Sequence, residues 1–307
     1  MVFPGYGSQF VGMAKELYDQ SRIMQEYYEE ASNCLNMNFV KLCFASSEIE
    51  LAKMNHAYVA TFLVSCSLYA IMKEEGIEPH VVAGYNLGEY AALFAADGFS
   101  LPDGLYLLNK YATFYHDHLA TMDAGLLRIN GLRAQELQTL CDKVGDTMNV
   151  ALIAVYETPI QHVVSGTRTA LERLRQLADA MDNVKVADGD IELGLHSPLM
   201  ETVAMNLKVY LEKVDFKELR VPLIDDVRGK LLRQGDEIKD HVVEHIRSPL
   251  VWHKVIESLR DYDPIIEVGP GSLLNPYIQA VFPEKIVVSV NKRSDIEALK
   301  EMLAPQS

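Results

Sequence analysis

Residues 56 to 75, HAYVATFLVSCSLYAIMKEE, are apolar over most of a helical circumference, which predicts a helix buried on all sides. The run that follows, HVVAGY at 80 to 85, is too short for a helix and reads as a buried strand; after Asn86 the apolar residues resume at helical spacing. Helix, strand, tight turn and helix form an α/β signature. From residue 125 the rhythm changes to strand GLLRING, helix AQELQTLCDKV, strands VALIAVYE and QHVVSG, helix TRTALERLRQLADAM and strand VKVA. Beyond it the pattern predicts a helix over 197–213, a strand at VPLIDD and an amphipathic helix within 235–260. The strand PIIEVG, a glycine turn GPGSLLN, the strand KIVVSV and a helix over 294–303 complete the chain.

The β-α-β-β-α-β order in the middle is the ferredoxin-like motif, so the expected class is α/β with an inserted α+β subdomain. The boundaries expected are 1–123 and 192–307 for the larger domain and 124–191 for the insert, with a cleft between them. The chain has 307 residues, 49% of them hydrophobic, enough for a well-filled core. A net charge of −15, from 28 basic and 43 acidic residues, argues against nucleic acid as a partner. No apolar run approaches the length that spans a bilayer, and no leader pattern opens the sequence, so a cytoplasmic protein without a membrane partner is expected. Cys34, Cys43, Cys66 and Cys141 show no close pairing pattern and fit free thiols in a reducing compartment.

VVAGYNLGEYAAL, residues 81 to 93, has the layout of a nucleophile elbow: a strand, a turn between two glycines, then a helix. Asn86 stands at the apex, where such turns carry serine. Three more motifs accompany it: FPGYGSQ at 3 to 9, LGLHSPLM at 193 to 200 and EVGPGSLL at 267 to 274. In that order, with the insert between the second and third, they resemble the malonyl-CoA:acyl carrier protein transacylases and the acyltransferase domains of polyketide synthases. The resemblance covers essentially the whole chain and implies a large α/β-hydrolase-like domain carrying the ferredoxin-like insert.

It also implies nucleophilic catalysis on acyl thioesters in fatty acid or polyketide biosynthesis. Position 86 would hold the nucleophile, His196 would act as general base and acid, and the backbone N–H groups of Tyr6 and Leu87 would hold the oxyanion. Tyr85, His56, Leu195 and Tyr111 would line the acyl site, and the GPG turn would accept the other ring N–H of the histidine. No resident cofactor and no metal are implied. The phosphopantetheine arm belongs to the substrate, and the partners are acyl carrier protein and an acyl-CoA or acyl-thioester.

Two departures alter this picture. A carboxamide is not a nucleophile, so the chain as written should form no acyl-enzyme, whether by natural loss or by an engineered change. Asparagine does tolerate positive φ, so the elbow should keep its shape. The family's arginine 25 residues beyond the apex is Tyr111 here, which removes a charge-assisted bond of roughly 1.5–3 kcal/mol to a malonyl carboxylate. Together with the apolar LGLH segment this points to non-carboxylated acyl groups, by transfer or by hydrolysis. A malonyl-specific transacylase and a non-catalytic carrier-binding scaffold are the alternatives.

The remaining candidates read more plainly. HVVEH at 241 to 245 has the spacing of a zinc peptidase motif, but no third ligand is evident and a solvated helix face is expected. His116 and His118 read as an exposed helix end, Ser197 as an N-cap ahead of Pro198, Ser8 as a turn hydroxyl and Trp252 as a packing anchor. A basic patch for the carrier protein would have to come from Arg128, Arg168, Arg173 and Arg175.

Overall fold

A computed structural model describes residues 1–191 and 194–304. Among the described residues ten strands form two sheets: β1 (Val2–Phe3), β2 (Val82–Gly84), β3 (Ala124–Asn130), β4 (Ala151–Thr158), β5 (Gln161–Thr167), β6 (Lys185–Asp188), β7 (Leu223–Ile224), β8 (Leu231–Leu232), β9 (Ile265–Val268) and β10 (Val287–Val290). Six make a sheet in the order β10-β9-β1-β2-β7-β8. It is parallel except for the β7–β8 hairpin at one edge. Its central strands are short and fully buried, as continuous apolar runs flanked by helices require.

The helix Met54–Glu74 packs beneath this sheet, buried around most of its circumference as its sequence predicts. β2 then enters the helix Gly88–Ala95 through the turn carrying Asn86. The other four strands form an antiparallel sheet in the order β4-β5-β3-β6, with the helices Ala134–Val144 and Arg168–Asp179 completing β-α-β-β-α-β. This sheet has its own core, including Leu127, Ile129, Leu137, Val164, Leu171 and Leu174. Residue 192, where the sequence places the return to the larger domain, lies outside the described residues, as does Leu193 of the LGLH segment.

The amphipathic stretch expected as one helix is two, Gly235–Arg247 and Trp252–Ser258, because Pro249 cannot continue the first. The connection is used structurally. Leu250 exchanges backbone hydrogen bonds with Ala154 and Tyr156 of β4, tying the edge of the small sheet to the larger domain. Trp252 is fully buried and packs edge-on to Tyr85 at 5.3 Å between ring centres. The segment expected as a helix from 197 opens as a 3-10 turn at Pro198–Met200 and becomes α-helical at Glu201. No helix among the described residues is long and apolar enough to cross a membrane.

Candidate active site

The elbow is built by close backbone approach. A Cβ on Gly84 would lie 2.0 Å from the Glu89 nitrogen, and one on Gly88 would lie 2.0 Å from the Phe3 carbonyl oxygen. Neither position admits a side chain. Between them Asn86 adopts φ 56°, a left-handed conformation that asparagine enters more readily than most residues. His196 is the second non-glycine residue of the site with positive φ, at 37°, directly after Gly194 and Leu195. A non-glycine residue held there marks a backbone over-determined by its surroundings.

These two strained turns face one another. Asn86 Nδ2 lies 2.6 Å from His196 Nε2, both residues being almost wholly buried. On the far side of the ring His196 Nδ1 lies 2.9 Å from the carbonyl oxygen of His245. That carbonyl, and not the GPG turn, orients the imidazole. The turn at Gly269–Gly271 instead supports the first motif: a Cβ on Gly269 would sit 2.5 Å from Pro4 Cγ, and Asn291 holds Gly271 through both its N–H and its C=O.

FPGYGSQ meets the elbow directly. A Cβ on Gly5 would be 2.3 Å from the Tyr85 carbonyl and 2.9 Å from the Leu87 nitrogen, so the turn bearing Tyr6 lies against the backbone just after the apex. Ser8 closes this turn by donating to the Gly5 carbonyl at 2.7 Å. The Tyr6 phenol donates to Asp190 at 2.8 Å, linking the turn to the end of the inserted unit.

Tyr111 reaches the site. A Cβ on Gly194 would meet His196 Nε2 at 3.0 Å and the Tyr111 hydroxyl at 3.4 Å, which puts the phenol beside the imidazole. Burial pushes its ionisation well above the ordinary tyrosine value, so it is a neutral donor at neutral pH. Leu195, next to His196 in the chain, is fully buried. Tyr58, which the sequence did not single out, packs on Tyr111 at 5.6 Å and on Tyr6 at 6.3 Å, so one aromatic wall joins the first motif to position 111.

Two expected acyl-site residues are engaged elsewhere. His56 turns to Glu50, at 3.0 Å from its carbonyl and 3.1 Å from its carboxylate. The Tyr85 hydroxyl donates to Glu157 at 2.9 Å, in a group that also includes the buried Tyr277 and the part-exposed Arg128. Glu157 is wholly buried on β4, so this group joins the two sheets; sequence spacing offers no sign of it because its members come from four separate segments.

HVVEH is not a solvated face. His241 and His245 are buried, and only Glu244 points outward, to Arg228. His241 Nε2 meets Glu89 at 2.6 Å and His245 Nδ1 meets Asp226 at 2.9 Å. Burial, reinforced by the neighbouring Asp226, raises the Glu89 carboxyl well above its usual range, while burial lowers His241. The second acidic partner, Asp226, was hidden in VPLIDD, fifteen residues before His241.

The other readings divide. His116 is exposed, while His118 is tied to the Leu199 carbonyl at 2.8 Å. Ser197 precedes Pro198 as expected, but its side chain makes no cap hydrogen bond. Arg128, Arg168, Arg173 and Arg175 each pair with a carboxylate, Glu157, Asp123, Asp146 and Asp188 respectively, so they do not form an uncompensated basic patch.

Comparison with known proteins agrees with this geometry. The model of the acyl transferase domain family matches residues 1–297. A malonyl CoA-acyl carrier protein transacylase of Bacillus subtilis is 30% identical over 308 aligned positions, covering 100% of this chain and 97% of that protein. A crystal structure of an acyl carrier protein S-malonyltransferase from Vibrio cholerae superposes with a TM-score of 0.93 at 25% identity, covering 97% of this chain and 98% of the other. A malonyl-transacylase solved with its type II polyketide synthase acyl-carrier protein gives 0.92 at 24%, with 98% of each chain covered, and shares the fold. The matched elbow, the histidine facing it and the inserted antiparallel sheet place this chain in the acyl transferase domain family, among the relatives of the malonyl-CoA:acyl carrier protein transacylases.

Proposed function

We propose that this chain carries an acyl carrier protein-directed acyltransfer site of the malonyl transacylase kind, which binds an acyl thioester at Asn86 and His196 and, as written, does not turn it over covalently. The observation that carries this reading is the 2.6 Å contact of Asn86 with His196 at a correctly formed elbow. An amide nitrogen can only donate there, so it fills the place of a nucleophile's hydroxyl without its reactivity. With serine at 86 the sequence of steps would be direct. The hydroxyl proton passes to His196 Nε2, the oxygen–acyl bond forms as the carbon–sulfur bond breaks, and the imidazolium returns the proton to the departing thiolate. The backbone N–H groups of Leu87 and Tyr6 would hold the oxyanion.

The relatives favour a malonyl group over the non-carboxylated acyl group that the absence of an arginine suggested. Tyr111 supports either: its neutral hydroxyl, beside His196 and without a hydrogen-bond partner, can donate to a carboxylate, at less gain than a bidentate arginine. CoA and holo-acyl carrier protein would present the substrate on phosphopantetheine, with no resident cofactor. The test is to incubate the unaltered chain with malonyl-CoA and holo-acyl carrier protein, following binding by calorimetry and covalent state by intact mass. Saturable binding of malonyl-CoA with no mass increase is expected. A malonyl adduct would overturn the inert reading, and carrier protein binding without any acyl-CoA binding would mark a scaffold instead.

A further inference from the structure

Behind His196, on the side away from Asn86, lie groups the acyl chemistry does not use. Asp226 follows β7, and His241 and His245 stand one turn apart on the helix Gly235–Arg247 with both rings turned inward. One potential ligand atom from each of the three lies within 4.8 Å of those of the others, and all three residues are at most 1% exposed. Each imidazole has one nitrogen held by a carboxylate and the other without a partner. His241 Nδ1, His245 Nε2, Asp226 Oδ2 and Glu89 Oε2 are all buried and all lack a hydrogen bond. Buried polar atoms nearly always find partners, so four orphans in one cluster call for an occupant.

We propose that Asp226, His241 and His245 bind a divalent transition-metal ion, zinc in the first instance. Two imidazoles and a carboxylate are a borderline donor set that suits zinc or ferrous iron and is poorly matched to calcium or magnesium, which take oxygen ligands. The ligands would draw together by about 1 Å to reach metal–ligand distances near 2.1 Å. Glu89 would then orient His241 through its other ring nitrogen, as carboxylates do behind zinc-bound histidines. The ion would clamp the segment after β7 to the helix whose His245 carbonyl orients His196. It is a structural site, and it stands whether or not the chain transfers acyl groups.

The test uses the full chain, stripped with a chelator and shown to be folded by circular dichroism, then titrated with zinc chloride by calorimetry and with cobalt(II) by visible absorption. One equivalent of zinc should bind saturably, cobalt should develop the intense bands of a low-symmetry, four- or five-coordinate site, and His241→Leu should weaken zinc by about 100-fold or more. If His241→Leu does not fold, Asp226→Asn takes its place, with the same expectation. No saturable binding by the unaltered chain would overturn the proposal, leaving two buried His–carboxylate pairs. So would equal binding by the variant, which would place the metal on surface histidines.

Discussion

His196 donates its Nδ1–H to the carbonyl oxygen of His245 at 2.9 Å, and this contact fixes the tautomer of the ring. The lone pair is left on Nε2, facing Asn86 Nδ2 at 2.6 Å. Both contacts agree, since an amide nitrogen donates and needs an acceptor opposite. The ring is thus held in the state a general base requires, although position 86 offers it no proton to take.

The elbow glycines should be intolerant of any side chain. Gly88→Ala would place a methyl 2.0 Å from the Phe3 carbonyl and 2.9 Å from that of Pro4, all in backbone that cannot move without shifting β1. A loss of about 3 kcal/mol or more in urea unfolding, or failure to accumulate as folded protein, is expected. Gly7→Ala, with nothing within 4 Å of the added carbon, should cost only the strain of its φ of 97°, about 1 kcal/mol. Equal midpoints for the two variants would contradict this account of the turn.

Position 111 should set the preference for carboxylated substrates. In an Asn86→Ser background, Tyr111→Arg should raise the ratio of kcat/KM for malonyl-CoA over acetyl-CoA by roughly 10- to 150-fold, the equivalent of one charge-assisted contact of about 1.5–3 kcal/mol. Tyr111→Phe should lower that ratio by a few-fold if the phenol donates to the carboxylate. An unchanged ratio in both would show that this side chain does not face the acyl group.

His162 should make stability depend on pH. Buried on β5 and donating from Nε2 to the Leu132 carbonyl at 3.2 Å, it is pushed down to about 4 by desolvation. The unfolded chain takes up this proton near pH 6.5 and the folded chain only near 4, so the contribution is complete above about 6.5 and disappears as the pH falls to 4. Its size is on the order of 1–3 kcal/mol. Urea midpoints measured from pH 7 to 4 should fall less steeply in His162→Gln than in the parent; parallel slopes would contradict the assignment.

The sequence made the framework legible where local pattern and tertiary role coincide. The largely apolar helix expected at 56–75, the glycine-bounded elbow and the β-α-β-β-α-β order each follow from periodicity or turn chemistry within one segment. What it hid was assembled from distant segments. The carbonyl of His245 carries no side-chain signal, and Tyr85 reads as an acyl-site residue until Glu157 on the other sheet claims its hydroxyl. HVVEH looked solvated because its polar residues fit an exposed helical face; only the fold brings Glu89 and Asp226 up to it. Positive φ at His196 is invisible to composition, although Gly194 two residues before it was a hint that the chain turns sharply there.

The central claim is that the elbow and His196 form an acyl-transfer centre that lacks only its nucleophile. It is tested by the intact mass of Asn86→Ser after brief incubation with malonyl-CoA, beside Asn86→Ser combined with His196→Ala. One malonyl group should add to the first, and the second should acylate about 10²- to 10⁴-fold more slowly. A folded Asn86→Ser protein that gains no acyl group from malonyl-CoA or acetyl-CoA, or acylation unaffected by the loss of His196, would contradict it.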